Sequence, residues 1–274
     1  MSELPPQAQP AFRVLVTGAG GFVGRHLISR LALAHPEIQV IPWSQDSMGD
    51  LRQSGLRQRV LDEVRPDSVV HLAWHATGTP GYETGPEHQH WRLATREFAY
   101  ECSERGVWFG LAGSGADGAR TETERSDYTT AKQELRADVR PLVTDGTCAL
   151  IRLFYLFSVH DGRPRVLREF QGRDLSRPFV LRDPEATHDF IHIDDAAEGI
   201  ILALVHGLAG GINVATGTRR GVASLLYAIE PHAEIEPSPT LRQAYPSPPE
   251  DQPSQLRALG WIPTRTINLF SSPS

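Results

Sequence analysis

The stretch RVLVTGAGGFVG, residues 13–24, decides the fold of this chain. Its first five residues form a short, largely β-branched run that predicts a buried strand. Glycines at positions 18, 20, 21 and 24 follow, a helical pattern covers 23–33, and a second apolar strand, IQVIP, covers 38–42. A strand, a glycine-rich loop, a helix and a strand within about 30 residues form the context in which such a loop binds a dinucleotide.

The glycine loop is therefore predicted to hold a pyrophosphate. Glycine lets the backbone pass close to phosphate oxygens, and the following helix N-terminus presents N–H donors and the positive end of the helix dipole. The predicted contacts come from the loop and the first helical turn: Gly18, Gly21, Phe22, Val23 and Gly24.

The end of the second strand bears on the choice between NAD and NADP. An acidic residue there binds the adenosine ribose hydroxyls of NAD and repels the 2′-phosphate of NADP. Strand alternation places Ser44 at this position, with Gln45 beside it and Asp46 next along the chain. The sequence therefore favours NADP(H), with NAD(H) as the alternative.

The rest of the chain continues the alternation of strands and helices. Strands are predicted at 67–74, 107–111 and 147–154, and helices at 55–64, 87–105 and 125–140. This order predicts an α/β fold, a doubly wound parallel Rossmann sheet with helices on both faces. After about residue 155 proline and glycine become more frequent, although a strand at 189–193 and a helix at 194–205 interrupt the irregular sequence. We predict a dinucleotide-binding domain over 1–155 and a smaller, irregular substrate-binding lobe over 156–274, of which 189–215 returns to the core sheet.

Composition excludes several classes of function. The formal net charge is −6 and the pI is near 6.0, so the chain offers no basic surface for nucleic acid. The N-terminus is polar and no apolar stretch reaches the length of a membrane span, from which we expect a cytoplasmic protein that does not bind membranes. Cys102 and Cys148 match no metal-ligand spacing, and no metal is expected. His88 and His90, the closest histidine pair, are read as loop residues.

The only lysine in the chain is the second distinctive feature. Lysine and arginine together number 27, and Lys132 is the single lysine among them, four residues after Tyr128. Residues i and i+4 of a helix lie on the same face. A nearby ammonium group favours the ionised form of a phenol and lowers its pKa, and a planar guanidinium does not replace a compact, rotatable ammonium donor. Tyr128 and Lys132 are therefore a candidate acid/base pair.

Four motifs in order resemble one family. TGAGGFVG at 17–24, HLAW at 71–74, Tyr128-x-x-x-Lys132 and HDFIHIDDAAEGI at 188–200 are similar to motifs of the extended short-chain dehydrogenases/reductases, of the NAD-dependent epimerase/dehydratase type, that act on nucleotide sugars. The resemblance runs from about residue 13 to LGW at 259–261, and looks closest to the deoxysugar 4-ketoreductases.

The resemblance implies roles for further residues. Ser114 would be the third catalytic residue, hydrogen-bonding the substrate oxygen that Tyr128 protonates, while Lys132 holds the nicotinamide ribose. Asp50 and Leu51 would hold the adenine ring. Leu72, Ala73 and Trp74 would line the dinucleotide channel. The family's usual arginine before Asp189 is His188 here, so the sugar nucleotide would be bound by residues from several segments: His75, Tyr155, Arg165, Arg177, Arg182 and His188.

The residues after Ser114 limit which reactions of the family are compatible with this sequence. A 4,6-dehydratase of the family carries an Asp–Glu pair there, where this chain has Gly115 and Ala116, and neither cysteine fits a 3,5-epimerase. The Ser–Tyr–Lys set suffices for reduction of a 4-keto (deoxy)sugar nucleotide by NAD(P)H, which we predict. A nucleotide-sugar 4-epimerase with recycled NAD and a non-catalytic dinucleotide-sensing regulator remain the alternatives.

The family's usual homodimer is also expected. It would form through the helices at 87–105 and 125–140, where Phe98, Leu135 and Val139 supply apolar positions.

Overall fold

Six parallel strands form the central sheet of the computed structural model, which describes residues 12–75, 83–115, 126–161, 164–181, 186–237 and 252–265. The strands in chain order are β1 (Arg13–Thr17), β2 (Gln39–Trp43), β3 (Ser68–His71), β4 (Trp108–Ser114), β5 (Cys148–Leu153), β6 (Tyr155–Phe157), β7 (Phe179–Leu181), β8 (Thr187–His188), β9 (Phe190–His192), β10 (Gly210–Val214), β11 (Arg220–Gly221) and β12 (Ile235–Pro237). The central sheet has the order β2-β1-β3-β4-β5-β10, and all of its pairings are parallel. The prediction of a parallel Rossmann-type sheet is confirmed.

Ten helices surround these strands in the described part of the chain. They are α1 (Phe22–Ala34), α2 (Gln45–Met48), α3 (Ser54–Val64), α4 (Glu87–Ser103), α5 (Asp127–Asp138), α6 (Arg140–Thr144), α7 (Arg165–Gln171), α8 (Ile193–Val205), α9 (Val222–Ile229) and α10 (Ser254–Ala258). No helix in the described ranges is long and apolar enough to cross a lipid bilayer.

Strand alternation divides the core into two layers. Leu15 and Val69 pack with α3, α4 and α5 on one face of the sheet. Val14 and Val70, each one position away, pack with α1 and α8 on the other face. All four side chains are fully buried, as expected of strands covered by helices on both sides.

The strand order places a crevice beside β1. The chain leaves β1 to form β2 on one side, and later adds β3 on the other, so the connections after β1 and β3 diverge at the carboxyl edge of the sheet. Open α/β sheets bind ligands at such a switch point. The glycine loop after Thr17 and the segment 72–75 after His71 meet there.

Most of the segment predicted to form a smaller lobe lies outside the central sheet. It contains three two-stranded ribbons, β6 with β9, β7 with β12 and β8 with β11, and a separate apolar cluster around Phe170, Phe190 and Leu226. The boundary predicted between residues 155 and 156 falls within β6, after its first residue, and it stays a prediction.

Several predicted elements differ from the structure. The strand predicted over 67–74 covers only Ser68–His71, and Leu72–Trp74 are not part of the sheet. The strand at 190–192 pairs with β6 outside the central sheet, so the return to the core is made by β10. The helix predicted over 125–140 ends at Asp138, and α6, with Pro141 in its first turn, continues separately.

The apolar positions predicted for a dimer face lie inside the chain. Phe98, Leu135 and Val139 are at most 2% exposed and belong to the core between α4, α5 and the sheet. Their hydrophobicity is accounted for by packing within one chain, which corrects that part of the dimer prediction.

Candidate active site

Two glycines of the loop after β1 are required by close backbone contacts. Gly18 has a φ of +68°, and a Cβ there would lie 2.8 Å from the amide nitrogen of Ala73. A Cβ on Gly24 would lie 2.3 Å from the carbonyl oxygen of Gly18. A Cβ on Gly20, by contrast, would meet no atom within 4 Å. The loop is therefore packed on its inner side and open on its outer side.

The open side of the loop fits a dinucleotide pyrophosphate. Helix α1 begins at Phe22, its N-cap residue is Gly21, and no side chain caps its first N–H groups. The first turn contains no acidic residue that would repel an anion. An uncapped helix N-terminus behind a tight glycine loop is the arrangement that receives phosphate oxygens. Val23 is partly buried against the core and orients the first turn.

A buried polar chain holds the loop against β3. The amide of Ala73 donates to the Thr17 hydroxyl at 3.3 Å, Thr17 lies 2.8 Å from Nδ1 of His71, and Nε2 of His71 lies 3.0 Å from the Thr95 hydroxyl. Burial, with the nearby Lys132 and Arg57 charges, lowers the pKa of His71 to about 3. His71 is therefore neutral and structural at neutral pH.

Lys132 lies where α5 meets the ends of β3 and β4. Its ammonium donates to the carbonyl oxygen of Ala112 at 3.2 Å and sits 3.7 Å from the centre of the Trp74 ring. The side chain is buried, 7% exposed. A desolvated cation over an indole gains about 2 kcal/mol, which offsets part of the cost of burying the charge. The distance and the burial show that Lys132 is held in one place.

Tyr128 contacts the same indole. The rings of Tyr128 and Trp74 meet edge to face with centroids 6.5 Å apart. Ser126 caps α5 through a capping box with Thr129, which fixes where the helix begins. The Tyr128 amide also donates to the carbonyl of Glu83 at 3.0 Å. Trp74 thus contacts both of the residues that the sequence predicts to act together.

Ser114 ends β4 on the same edge of the sheet. It stands two residues after Ala112, whose backbone carbonyl accepts from the Lys132 ammonium. Gly115 follows directly, and a Cβ there would lie 2.7 Å from the Phe154 ring. The structure therefore brings Ser114, Tyr128 and Lys132 to one region of the carboxyl edge.

His88 is a residue of this region whose place was mispredicted. It lies on α4 together with His90, so the prediction that both are loop residues is wrong. His88 is fully buried, its Nδ1 accepts a hydrogen bond from the Trp74 indole at 3.3 Å, and its ring meets those of Tyr128 and His75. The sequence contained the signal for a buried helical position, because His88, Thr95 and Cys102 are spaced seven residues apart and so lie on one face of the helix.

The predicted adenine end is rich in internal hydrogen bonds. Ser44 follows β2 and caps α2 through a reciprocal bond with Ser47. Hydrogen bonds from Arg52, outweighing burial, lower the pKa of the Asp50 carboxyl. Asp50 therefore carries its charge in an ion pair within its own turn.

The backbone of Leu51 is bound by the buried side chain of Arg57. Its carbonyl oxygen accepts from Arg57 at 3.0 Å, and the same guanidinium bonds Glu97 at 2.6 Å and Glu101 at 3.0 Å. Arg57 is fully buried, so these acceptors satisfy a charge that would otherwise be costly. The backbone at Leu51 is thereby fixed to α4.

A cavity of about 530 Å³ opens in the smaller lobe. Tyr155, Arg165 and His188 line it, together with apolar side chains of β7, β9 and α9. The rings of Tyr155 and His188 are stacked with centroids 3.5 Å apart, and Arg165 pairs with Glu169 at 2.6 Å. Three of the six residues predicted to bind substrate thus share one cavity.

The other predicted substrate residues lie elsewhere. His75 is at the catalytic end, 5.5 Å from His88 between ring centroids. Arg177 is 76% exposed, pairs with Asp174, and does not line the cavity. Arg182 lies outside the described residues.

The sequence is similar to a known protein family and to a characterised relative. A model of the NAD dependent epimerase/dehydratase family matches residues 14–215. A GDP-6-deoxy-D-mannose reductase from Pseudomonas aeruginosa is 27% identical over 260 residues, which cover 82% of this chain and 81% of that protein.

Solved structures share the fold. The GDP-mannoheptose C4 reductase MlghC from Campylobacter jejuni, with NADP bound, superposes with a TM-score of 0.75 at 15% identity, covering 95% of this chain and 96% of that one. UDP-glucose 4-epimerase from Thermus thermophilus, in complex with NAD, superposes with a TM-score of 0.69 at 24% identity, covering 94% and 98%. The family model spans well over half of the described fold, including the glycine loop, Ser114, Tyr128 and Lys132. The chain belongs to the NAD dependent epimerase/dehydratase family and is an NAD(P)-dependent oxidoreductase/epimerase of the extended short-chain dehydrogenase/reductase type.

Proposed function

We propose that this enzyme reduces the 4-keto group of a sugar nucleotide, with NADPH as the reductant. The observation that carries the proposal is the placement of Lys132 between the Trp74 ring and the Ala112 carbonyl, beside Tyr128 and at the end of the strand that bears Ser114. The similarity to a GDP-6-deoxy-D-mannose reductase supports reduction over other reactions of the family.

Each of the three residues has a distinct task in this proposal. When bound, the reduced nicotinamide supplies a hydride to C4 of the sugar. Tyr128 donates its phenolic proton to the carbonyl oxygen, so that the ketone becomes a secondary alcohol. Ser114 donates a hydrogen bond to the same oxygen and orients it toward Tyr128. The Lys132 ammonium stabilises the tyrosinate that remains, and binds the nicotinamide ribose.

The side chains around the candidate site would limit the access of water to the reacting groups. Trp74 and the fully buried His88 close the side behind Tyr128, and Phe154 closes the side behind Gly115. Exclusion of water strengthens the electrostatic contribution of Lys132 and removes a competing proton donor.

The preference for NADP(H) is part of the proposal. The residue that follows β2 is Ser44, whose neutral hydroxyl does not repel a 2′-phosphate, and Asp46 is exposed in the first turn of α2. An acidic side chain in the place of Ser44 would favour NAD instead.

Release of nucleotide on denaturation tests the reaction type. Purified enzyme is expected to release no NAD, and to bind NADPH more tightly than NADH in a fluorescence titration. Tightly held NAD, released only on unfolding, would instead indicate a 4-epimerase that recycles its cofactor. Failure to bind either reduced nucleotide would refute the function assigned to the glycine loop.

Tyr128→Phe tests the proton donor. The variant keeps the ring contacts with Trp74 and His88 while it removes the hydroxyl. With NADPH and GDP-, dTDP- or UDP-linked 4-keto-6-deoxyhexoses as substrates, kcat is expected to fall about 10²- to 10⁴-fold while the Kd for NADPH is unchanged. Full activity in Tyr128→Phe would refute the role of the phenol.

A further inference from the structure

Trp74 follows β3 and contacts two of the candidate catalytic residues. The Lys132 ammonium lies 3.7 Å from the centre of the indole ring, and the Tyr128 ring meets the indole edge to face with centroids 6.5 Å apart. Lys132 is 7% exposed, so its charge has lost most of its contact with water, and the indole face replaces part of that solvation. The indole is therefore a second anchor for the ammonium, besides the carbonyl of Ala112 at 3.2 Å.

The strength of this anchor depends on the orientation of the indole ring. The face of an aromatic ring carries partial negative charge and its edge carries partial positive charge, so only the face attracts an ammonium group. A rotation of the indole about its Cβ–Cγ bond would turn the edge toward Lys132 and remove the attraction. The position of the ammonium therefore depends on the contact that fixes the plane of the Trp74 ring.

His88 provides that contact. The indole N–H of Trp74 donates to Nδ1 of His88 at 3.3 Å, and the planes of the two rings lie 17° apart. An indole nitrogen only donates, so this hydrogen bond requires an Nδ1 without a proton, and the neutral imidazole then carries its proton on Nε2. Because the N–H bond lies in the plane of the indole, rotation of the ring would break the hydrogen bond. The bond thus opposes the rotation that would turn the ring edge toward Lys132.

His88 is itself held by the surrounding side chains. It is fully buried on α4, and its ring meets those of Tyr128 and His75 with centroids 5.5 Å apart in each case. Neither Trp74 nor His88 lines the cavity of the smaller lobe. The two residues therefore contact the candidate catalytic residues and not the cavity that contains three of the predicted substrate residues.

We propose that Trp74 and His88 are positioning residues for the reaction. His88 sets the plane of the indole, and the face of the indole holds the Lys132 ammonium beside Tyr128. This inference rests on the proposed function, because it takes Lys132 as the group that stabilises the tyrosinate. Without an aromatic face at position 74, or without an acceptor for its N–H at position 88, the ammonium is less restricted on its flexible four-carbon stem.

The position of Lys132 is directly measurable by nuclear magnetic resonance, because it is the only lysine in the chain. Full-length enzyme made with lysine isotope-labelled at Cε gives a single Cε resonance. Protons above an aromatic face are shielded, so the ε-protons are expected upfield of those of free lysine. Trp74→Leu is expected to remove most of this shift, and Trp74→Phe, which keeps a ring, is expected to retain part of it. An unchanged signal in Trp74→Leu would overturn the proposal.

His88→Asn and His88→Leu test the hydrogen bond to the indole. The asparagine amide offers an oxygen acceptor near the place of Nδ1, whereas leucine offers none. The upfield shift of the Lys132 signal is expected to persist in His88→Asn and to decrease in His88→Leu. Urea denaturation checks that each variant is folded. Equal shifts in the two variants would overturn the role of the hydrogen bond.

Turnover tests the consequence for the reaction. With NADPH and the 4-keto substrates, kcat is expected to fall about 10- to 30-fold in Trp74→Leu and about 5-fold in His88→Leu. The KM for the sugar substrate is expected to stay unchanged, because neither residue lines the cavity. His88→Asn is expected to recover most of the kcat that His88→Leu loses. A rise in KM without a fall in kcat would overturn the proposal.

A double-mutant cycle tests whether His88 acts through the indole. Trp74→Phe lacks the N–H group, so adding His88→Leu to it is expected to lower kcat less than about 2-fold further. A full additional loss would show that His88 acts by another contact, such as its contact with the Tyr128 ring, and would overturn the proposal.

Trp108→Phe is the matched control. It also removes an indole N–H, which donates to the carbonyl of Leu208 at 2.9 Å, but it lies at the opposite end of β4 from Ser114. The Lys132 signal and kcat are expected to match those of wild type. A change in the Lys132 signal as large as that in Trp74→Phe would show a general effect of losing an indole and overturn the proposal.

The two kinds of measurement separate this inference from the proposed function, because the Lys132 signal requires no turnover. Signals that respond to Trp74 and His88 as expected, in an enzyme that reduces no 4-keto substrate, would support the positioning of Lys132 and refute the reductase. Turnover of a 4-keto substrate with wild-type kcat in Trp74→Leu and His88→Leu would support the reductase and overturn the inference.

Discussion

Replacing Gly24 by alanine is expected to destabilise the enzyme and weaken dinucleotide binding together. The new Cβ would lie 2.3 Å from the Gly18 carbonyl oxygen, 2.7 Å from the Ala19 carbonyl oxygen and 2.8 Å from the Ala19 Cα. All three are backbone atoms, so no side-chain rotation relieves the contact. Recovery of an ordinary 3.4 Å separation from the first oxygen requires the helix and the loop to part by about 1 Å, since 3.4 − 2.3 = 1.1 Å.

The net cost is about 2 kcal/mol. Overpacking of a tight interior contact costs about 1 to 3 kcal/mol, and a contact made only by backbone belongs at the upper end of that range. Alanine in place of glycine inside a helix returns about 1 kcal/mol through its higher helix propensity. At about 2 °C per kcal/mol for a chain of this size, Tm is expected to fall by about 4 °C.

Gly20→Ala is the control for this experiment. Its Cβ would meet nothing within 4 Å, and Gly20 has no positive φ, so stability is expected to stay within about 0.5 kcal/mol of wild type. Thermal and chemical denaturation give the stabilities, and fluorescence titration gives the Kd for NADPH. If Gly24→Ala were as stable as Gly20→Ala, the packing assigned to the inner side of the loop would be refuted.

Two further predictions concern Lys132 and His71. Lys132→Arg keeps the charge, but a planar guanidinium does not reproduce the compact ammonium that contacts the Trp74 ring and the Ala112 carbonyl. We expect kcat to fall at least about 100-fold with the fold intact, and retention of wild-type kcat would disprove the need for an ammonium group. Burial, with Lys132 and Arg57 nearby, lowers the pKa of His71 to about 3, so between pH 6.5 and 3 the unfolded chain binds a proton that the folded chain does not. This group therefore removes stability as pH falls, by about 1 kcal/mol between pH 6.5 and 5.5. Urea denaturation at those two values is expected to show a smaller loss in His71→Gln, and an identical loss would contradict the buried, neutral state.

The central sheet was predictable because its signals are local. Five-residue apolar runs, the glycine loop and the period of the helices each lie within a short window, and β1 and α1 were placed within one residue of their observed bounds. The strand at 190–192 shows the limit of this reasoning. Its apolar alternation predicts a strand, but only tertiary contacts decide that its partner is β6 and not the central sheet.

The candidate site was predictable where chemistry restricts residue type. The single lysine, its spacing from Tyr128 and the serine after a strand could be recognised in the sequence, although their roles remain predictions. Contacts between residues that are distant in the sequence could not be predicted. Nothing near Arg57 in the sequence indicates that Glu97 and Glu101 neutralise it, and nothing near Arg220 indicates that it stands opposite His188. Both depend on the register of elements distant in sequence.

Helix α4 touches the proposed path of the dinucleotide at three points. His88 supports Trp74 at the nicotinamide end, Thr95 receives the polar chain from the glycine loop, and Glu101 holds Arg57 beneath Leu51 at the adenine end. The 13 residues from His88 to Glu101 correspond to about 20 Å of helix. A single helix, α4, therefore supports the proposed dinucleotide channel along its whole length. A shift of α4 along its axis by one turn would disrupt all three contacts together. The distance between the two ends of the proposed cofactor site is therefore set by one helix and not by the loops that would touch the cofactor.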